Sequence, residues 1–401
     1  MKKSERPKAS NGEDGVDLIS NMPDAILVLI LSRLSSTEEQ IRSSVLSRRW
    51  RYLWTAVPSV DMQLLSREES KQSKFKEFMY WVLASKTVNL DSFRLRFFYW
   101  GFSKQNCIAT VWRWVHLAVM RNVKQIDLCF TIGYKKKREA IELPHYLVSC
   151  GSLEVLRLNL INYGLSLPRS VGFPALRVLH LSYVCLPEDD DLVNNFLKSC
   201  PLLEDLSLVG CKLQGLVCIS CPKLKRLSIV NWSYYLGCHG IKISCSKLVD
   251  LYLGGCLWEE DDPDPLQFPG NSHFKWGHIY SFWESIDAAA CDLPLPNLKT
   301  LVLRTTMGAF NLDELTQVLK CFPKLENLTL IITKDFDFGE EYEWVDEAET
   351  WRLMTRDVKR VEFFYFNGEK PKLDIKWFNN EAHMIFTFFW GKRVRAFDNL
   401  L

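Results

Sequence analysis

The stretch ALRVLHL, residues 175–181, decides the fold. Its leucines Leu176, Leu179 and Leu181 are spaced L-x-x-L-x-L, and strict or looser copies of this spacing recur along the chain. Most copies begin about 20 to 33 residues after the previous one, close to the period of a leucine-rich repeat. The ten copies begin at Leu90, Val123, Leu153, Leu176, Leu203, Leu224, Leu248, Leu298, Leu325 and Val358.

Prolines and cysteines occupy fixed places relative to these copies, which supports the register. Proline stands two residues before the first leucine at Pro174, Pro201, Pro222, Pro296 and Pro323. Proline is tolerated there because the chain is only entering the strand. Cysteine stands three residues before it at Cys150, Cys200, Cys221 and Cys245.

Two more cysteines, Cys211 and Cys256, follow the last leucine of their triads by three residues. That position predicts a buried side chain that satisfies backbone groups at a turn. A zinc site is the alternative, built from Cys218, Cys221, Cys238, His239 and Cys245. A lone C-x-x-C pair is weak support for zinc, so we predict no metal.

Upstream of the repeats, the sequence predicts three short helices. Pro23 suits a first helical turn, and an apolar stripe with helical spacing follows it. Ser36 and Glu39 have the spacing of a capping box, which starts a second helix, with Ile41 and Val45 as its buried face. A third short helix, capped by Ser47, carries Trp50, Leu53 and Trp54.

The block from Asp17 to Trp54 resembles an F-box of the plant type that precedes leucine-rich repeats. The resemblance rests on Met-Pro-Asp (22–24), on Ile-Leu pairs at 26–27 and 30–31, and on SVLSRRW (44–50). It departs from the usual pattern at Met22, where leucine is common, and at Ala25, where an acidic residue is common. Methionine is apolar and adaptable, so we expect docking to survive.

What the resemblance implies is a docking protein without a catalytic residue. An F-box binds the Skp-type adaptor of a cullin-RING ubiquitin ligase, and through it the cullin and RING subunits. The repeats would then bind a protein substrate. The adaptor-binding residues that it implies are Met22, Pro23, Ile26, Leu27, Ile30, Leu31, Leu34, Val45, Leu46 and Trp50.

The substrate-binding residues are predicted by position only. Side chains alternate along a strand, so the leucines point inward and the residues between them face the concave surface. We take Arg157, His180, Ser207 and Tyr252 as candidates. Ser228, Val302 and Thr329 occupy the same position in other copies. The side chains in this row are chemically mixed, so they do not indicate a particular ligand.

Two other functions stay open beside the substrate receptor. One is a scaffold or decoy that binds the adaptor without promoting degradation. The other is an enzyme or nucleic-acid binder, in which Arg48, Arg49 and Arg51 would grip phosphates. Three arginines on one short helix are more often a solvated face. The net charge of +2 gives no basic excess, and no nucleotide-binding or hydrolase motif occurs.

Composition predicts the cellular setting. No apolar run approaches the roughly 18 residues that span a bilayer, so no membrane association is expected. The charged N-terminus lacks the apolar stretch of a signal peptide. Thirteen cysteines, an odd number, indicate a reducing compartment, and we expect the nucleus and/or the cytoplasm. No cofactor is expected.

The sequence therefore predicts an α/β fold. A three-helix F-box precedes a leucine-rich-repeat solenoid, a parallel β-sheet horseshoe with outer helices and irregular segments. The predicted divisions are a disordered tail (1–16), the F-box (17–60), the repeats (61–369) and a C-terminal cap of uncertain identity (370–401). Residues 258–291 hold either an insertion or a degenerate repeat.

Overall fold

The computed structural model describes residues 19, 21–66, 68–99, 104–132, 140–167, 172–186, 190–255, 295–306, 322–333, 360–365 and 385–390. The predicted insertion at 258–291, Cys256 and most of the predicted cap lie outside these residues. The predicted domain divisions stay predictions.

Short helices form the N-terminal part, as the sequence predicts. Helix α1 spans Asp24–Leu31 and helix α2 spans Thr37–Arg42, and two 3₁₀ helices follow at Ser43–Val45 and Trp50–Ala56. Pro23 caps α1. Ser47 accepts a 3.4 Å hydrogen bond from the backbone N–H of Trp50, the first residue of the last helix, but the N-cap position of that helix is Arg49 and not Ser47.

The cap of α2 differs in one detail from a capping box. Ser36 Oγ accepts a bond from the Glu39 N–H, at 3.3 Å. The Glu39 carboxylate reaches back to the N–H and hydroxyl of Ser35, at 3.1 and 2.9 Å, instead of the N–H of Ser36. One orphan donor of the first turn, the Glu39 N–H, is thus satisfied by a side chain.

The predicted buried face of the second helix is wrong at Val45, which is 88% exposed. Helix α2 ends at Arg42 and the chain continues as a 3₁₀ turn with a shorter period. The helical spacing from Ile41 therefore does not reach Val45. Thr37 and Gln40 are the buried residues of α2, and Ile41 is partly buried.

A parallel sheet forms the body of the molecule. The described strands are β1 (Ser59–Leu64), β2 (Ser92–Tyr99), β3 (Gln125–Ile132), β4 (Ala140–Glu142), β5 (Val155–Ser166), β6 (Val178–Cys185), β7 (Asp205–Val209), β8 (Lys212–Ile219), β9 (Arg226–Ile243), β10 (Asp250–Gly255), β11 (Thr300–Thr306), β12 (Asn327–Thr333), β13 (Arg360–Tyr365) and β14 (Ile385–Trp390). Twelve lie side by side in the order β1-β2-β3-β5-β6-β7-β9-β10-β11-β12-β13-β14, with β4 beside β5 and β8 beside β6 and β9.

Every predicted copy corresponds to one strand of this sheet. The leucines of successive triads face each other, as in Leu156↔Leu179 and Leu179↔Leu206. They are buried, between 0% and 7% exposed from β5 to β12. One apolar core runs from the F-box into the sheet, and it supplies most of the stability of the fold.

Two strands extend the sheet beyond the ten predicted copies. Strand β1 pairs with β2 in register, with Val60 opposite Phe93 and Met62 opposite Leu95. At the other end, β14 pairs with β13. Residues 385–390, which fall within the predicted cap, thus continue the ladder.

The proline and cysteine positions form a repeated turn. In five copies the N–H of the first leucine donates to the carbonyl three residues earlier, as in Leu203 to Cys200 and Leu224 to Cys221. Such a bond closes a β-turn, and proline suits its second position. The residue that opens the turn is buried in all five, whether it is a cysteine, Leu295 or Phe322, and Phe173 is buried at the same position before Leu176.

Two long helices cover the outer side of the first strands. Helix α3 spans Glu69–Ser85 and helix α4 spans Lys104–Val119. Trp114 of α4 is fully buried and packs edge-on against Phe75 of α3 and Phe97 of β2, at centroid distances of 6.1 and 6.0 Å. Two shorter helices, α5 (His145–Val148) and α6 (Asp190–Lys198), occupy later connections.

A column of charges of alternating sign runs along the edge of the sheet, just before each strand begins. Its backbone N–H groups donate from one repeat to the carbonyl of the one before, as in Arg177 to Glu154 and Glu204 to Arg177, each at 2.8 Å. Ion pairs join neighbours: Asp91–Lys124 at 2.8 Å, Arg177–Glu204 at 2.8 Å, Lys225–Glu204 at 2.7 Å and Lys299–Glu326 at 3.1 Å. Val249 interrupts the alternation between Lys225 and Lys299.

Candidate functional site

Helix α1 divides its apolar residues between the core and the surface. Leu27 and Leu31 are 0% and 1% exposed and belong to the core. Ile26, Leu29 and Ile30, which are three and four residues apart, are 43%, 53% and 43% exposed. Residues with this spacing lie on one helix face, so α1 presents an apolar stripe to solvent. We call these three residues the α1 face.

The remaining predicted adaptor-binding residues are placed unevenly. Leu34, Val45 and Leu46 are exposed, at 38%, 88% and 65%. Pro23 is exposed as well, and Met22 is partly buried against the core. Trp50 is 9% exposed and packs inside. The sequence analysis missed Leu29, although it lies three residues after Ile26.

One of the three arginines proposed to bind phosphates, Arg49, is held by bonds within the chain. Arg49 Nε donates to Asp24 Oδ1 at 2.7 Å, and its guanidinium also donates to the Met22 carbonyl. These bonds tie the last helix of the F-box to the start of α1. A guanidinium held in this way is committed to the fold, which weakens the phosphate-binding hypothesis.

A buried lysine joins the F-box to the first repeat. Lys86, at the end of α3, is 3% exposed. Its Nζ donates to the carbonyls of Trp54 and Val57, at 2.9 and 3.0 Å. It also lies 5.4 Å from the centroid of the Trp54 ring. Burial, assisted by the charge of Arg121, lowers the pKa of Lys86 from 10.5 to about 7.

Two backbone contacts reinforce this junction. The Thr87 N–H donates to the Thr55 carbonyl at 3.0 Å, and the Asp61 N–H donates to the Thr37 hydroxyl at 2.8 Å. The F-box helices and the sheet are therefore connected by hydrogen bonds as well as by a shared core. The sequence gives no signal for the Lys86 contact, because its partners are 29 and 32 residues away.

The predicted substrate row exists as one line across the sheet. Arg157 faces His180, His180 faces Ser207, and the line continues through Ser228 to Tyr252. It extends further to Val302 and Thr329. The structure thus brings the four candidate residues together in register, while substrate contact with them stays a prediction.

Charged side chains on this face are mostly paired across strands. Arg94 of β2 bonds to Asp61 on one side and Asp127 on the other, at 3.0 and 3.1 Å. Asp205 accepts from Arg226 at 2.9 Å, and its Oδ1 lies 3.5 Å from His180 Nε2. Burial raises the pKa of Asp205, but His180 and Arg226 together lower it further, so it falls below its usual value.

The buried cysteines serve the repeat rather than a reactive site. Cys211 donates its thiol to the Leu181 carbonyl at 3.3 Å, as its repeat position predicts. Cys245 donates to the Ile219 carbonyl at 3.4 Å. Burial raises the pKa of Cys211 and of Cys221 to about 12. A thiol with such a pKa stays protonated and is a poor nucleophile.

Comparison with known proteins gives two matches to family models. Residues 19–60 match the F-box domain, and residues 111–237 match the family described as FBD-associated F-box protein At5g56370, LRR repeats. In addition, no helix among the described residues has the length and apolar character needed to cross a membrane.

Related proteins come from Arabidopsis thaliana. F-box/FBD/LRR-repeat protein At4g00160 is 30% identical over 57% of this chain and 51% of its own length. F-box/FBD/LRR-repeat protein At3g52680 is 32% identical over 57% of this chain and 50% of its own length. The chain thus spans about half the length of these relatives. Putative F-box/FBD/LRR-repeat protein At4g03220 is 29% identical over 90% of this chain and 81% of its own length.

These matches confirm the resemblance and the fold class drawn from the sequence. F-box domains generally bind Skp1-type adaptors, and proteins that combine them with leucine-rich repeats are generally non-catalytic. The chain therefore holds a segment similar to the F-box domain, followed by a segment similar to the repeats of FBD-associated F-box proteins.

Proposed function

We propose that this chain is the substrate-recognition subunit of an SCF-type ubiquitin ligase. Its F-box docks the Skp-type adaptor, which connects to the cullin and RING subunits, and its repeats hold a protein substrate. The chain contributes no chemical group. It accelerates ubiquitin transfer by raising the effective concentration of a substrate lysine near the charged conjugating enzyme.

The α1 face is the observation that carries the proposal. Ile26, Leu29 and Ile30 expose 43–53% of their surface although the core lies directly behind them. Contiguous apolar surface on a folded domain usually marks a site for a partner. The match of residues 19–60 to the F-box domain supports an adaptor of the Skp type as that partner, because F-box domains generally bind such adaptors.

The predicted adaptor-binding residues fall into an exposed group and a buried group, and we propose a different role for each. Ile26, Ile30, Leu34, Val45 and Leu46 have the exposure needed for direct contact. Leu27, Leu31 and Trp50 lie in the core, so in the proposal they support the surface from behind. Leu29 joins the contact residues.

The junction supports a receptor that holds its substrate in a defined place. Lys86 and Thr87 donate to carbonyls at the end of the last F-box helix, so the α1 face and the sheet cannot reorient without breaking these hydrogen bonds. Proximity catalysis gains from such a fixed geometry, because fewer orientations are lost when the reaction occurs.

A pull-down with recombinant Skp1-type adaptor tests the proposal. We expect the wild-type chain to capture the adaptor and the variant Ile26→Asp/Ile30→Asp to lose at least about a hundredfold in affinity, because docking would bury two unpaired carboxylates. Met120→Asp is the control, since Met120 is apolar and 71% exposed on the end of α4.

Three results would count against adaptor docking: no capture by the wild type, equal capture by the double variant, or equal loss in the control. Both substituted isoleucines are at the surface, and circular dichroism verifies that the variant is folded. Transfer of ubiquitin to a bound protein in a reconstituted ligase then separates a receptor from a scaffold or decoy.

The nucleus and/or cytoplasm is the proposed location. It rests on the thirteen cysteines, an odd number, and on the structural use of Cys211 and Cys245 as thiols that donate to backbone carbonyls. Imaging of a fluorescent fusion tests it.

A further inference from the structure

Two arginines on the concave face differ from the rest. Arg94 and Arg226 each pair with aspartates on neighbouring strands. Arg96 of β2 and Arg157 of β5 make no hydrogen bond and no ion pair within the described part of the chain. Arg96 is exposed and Arg157 is partly exposed, so a ligand on this face can reach both side chains.

The sheet register places these two arginines around one small residue. Arg96 stands opposite Cys129 of β3, which stands opposite Asn159 of β5. Arg157 precedes Asn159 by two residues and shares its face of the strand. Arg96 and Arg157 therefore lie on the two strands that flank Cys129, and Arg157 itself stands opposite Asp127.

Electrostatic effects agree with this arrangement. The pKa of Cys129 is raised, first by burial and then by Asp127, while Arg96 opposes the rise. The pKa of Asp61 is raised by burial, against the effects of Arg94 and Arg96. The charge of Arg96 is thus felt by its neighbours, but no carboxylate pairs with it directly.

Asn159 adds an unmade hydrogen bond at the same place. Its Oδ1 is buried and has no partner within the described part of the chain. A buried acceptor without a donor costs free energy. A ligand that brings an N–H group here recovers that cost after a small movement of the covering side chains.

The local charge balance selects the kind of ligand. Asp61, Arg94, Asp127, Arg96 and Arg157 occupy adjacent strands and carry three positive and two negative charges. The resulting single positive charge matches one carboxylate. A phosphate, with nearly two negative charges at neutral pH, would leave the site with an excess of negative charge.

We propose that Arg96 and Arg157 bind one aspartate or glutamate side chain of an extended segment of the substrate protein. Asn159 accepts a hydrogen bond from the backbone of the same segment. This inference rests on the proposed function, because it assigns a substrate class to the concave face of the receptor. Guanidinium groups suit the task, since they bind carboxylates through paired N–H donors.

The test uses a displayed library of random dodecapeptides selected on the full-length chain. We expect the selected peptides to share one acidic residue. In fluorescence anisotropy, Arg96→Gln/Arg157→Gln weakens a selected peptide by about tenfold or more. Arg113→Gln, an exposed arginine on the outer helix α4, is the matched control and leaves binding unchanged.

Changing the acidic residue of the peptide to glutamine gives the second arm. It weakens binding to the wild type by a similar factor and has little further effect on the double variant, because both changes remove one interaction. Replacing it by phosphoserine weakens binding. Tighter binding of the phosphopeptide, no acidic preference, an unaffected double variant or no selected peptide would each overturn the proposal.

Adaptor capture by the same preparations keeps the two proposals separate. Arg96 and Arg157 lie on the sheet and not on the α1 face, so the double variant still captures the adaptor. If the double variant loses peptide binding but still captures the adaptor, the result concerns only the proposed site at Arg96 and Arg157. Failure of the wild type to capture the adaptor bears on the proposed function alone.

Discussion

The α1 face and the concave face of the sheet are both exposed, but they are built on opposite principles. The α1 face leaves three large apolar side chains half exposed. The concave face carries polar and charged residues, and Arg94 and Arg226 each meet carboxylates on neighbouring strands. The first surface leaves apolar area open to solvent, whereas the second satisfies most of its own charges.

Under the proposed function, this difference divides affinity and selectivity between the two surfaces. Apolar area drives association with little demand on the details of the partner. A sheet face with paired charges attracts few proteins, and its unpaired groups decide which ones bind. The predictions below test the comparison from the largest expected effect to the smallest.

Removing a leucine from the repeat core should cost far more stability than removing one from the α1 face. Leu206 is 0% exposed and Leu29 is 53% exposed. We expect Leu206→Ala to lower the free energy of unfolding by about 2–5 kcal/mol, because it leaves a cavity. Leu29→Ala should change it by less than about 0.5 kcal/mol. Urea denaturation measures both, and a large loss for Leu29→Ala would refute the description of the α1 face.

The free energy of unfolding should depend on pH through Lys86, the buried lysine that joins the F-box to the first repeat. Its pKa is lowered to about 7 in the folded chain, so between about pH 7 and 10.5 the unfolded chain binds more protons. Stability then rises with pH in this window, by about 2 kcal/mol from pH 7 to 9. Below pH 7 both states are protonated and the dependence disappears.

Lys86→Met is the control for this dependence. The wild type should gain stability relative to Lys86→Met as pH rises from 7 to 9, measured by urea denaturation at each pH. Parallel curves for the two proteins would show that Lys86 keeps an ordinary pKa in the fold.

Loss of one paired arginine from the concave face should have the smallest effect. Arg94→Gln leaves Asp61 and Asp127 without their shared partner, and we expect a loss of about 1 kcal/mol, as for partly exposed ion pairs. High salt should reduce the difference. Arg113→Gln serves again as the control. An equal effect of both substitutions would show that the concave pairs contribute nothing specific.

The repeats could be predicted because several independent sequence markers indicate the same register. The leucine triad, the proline two residues earlier and the cysteine three residues earlier all give one register, and the strands follow it. Strand β1 escaped notice because Val57, Val60 and Met62 keep the spacing without a leucine and without the turn markers. A search for apolar residues in general, carried 33 residues upstream of Leu90, would have found it.

The binding surfaces were predictable only in outline. Helical spacing places the apolar residues Ile26, Leu27, Ile30 and Leu31 on one broad side of a helix. It does not indicate which of them face the core. Val45 was misplaced because α2 gives way to a 3₁₀ turn. The unpaired state of Arg96 and Arg157 depends on the strands beside them, and sequence spacing alone does not give those neighbours.

The alternating charges at the sheet edge restrict how this array can change length. Deleting the repeat that contains Arg177 would place Glu154 beside Glu204, and like charges at adjacent positions repel. Removal or duplication of two repeats at once preserves the alternation. The column therefore favours gain or loss of repeats in pairs, because only an even number keeps opposite charges adjacent. At Val249 the alternation is interrupted by an uncharged residue between Lys225 and Lys299, so this constraint is weaker there.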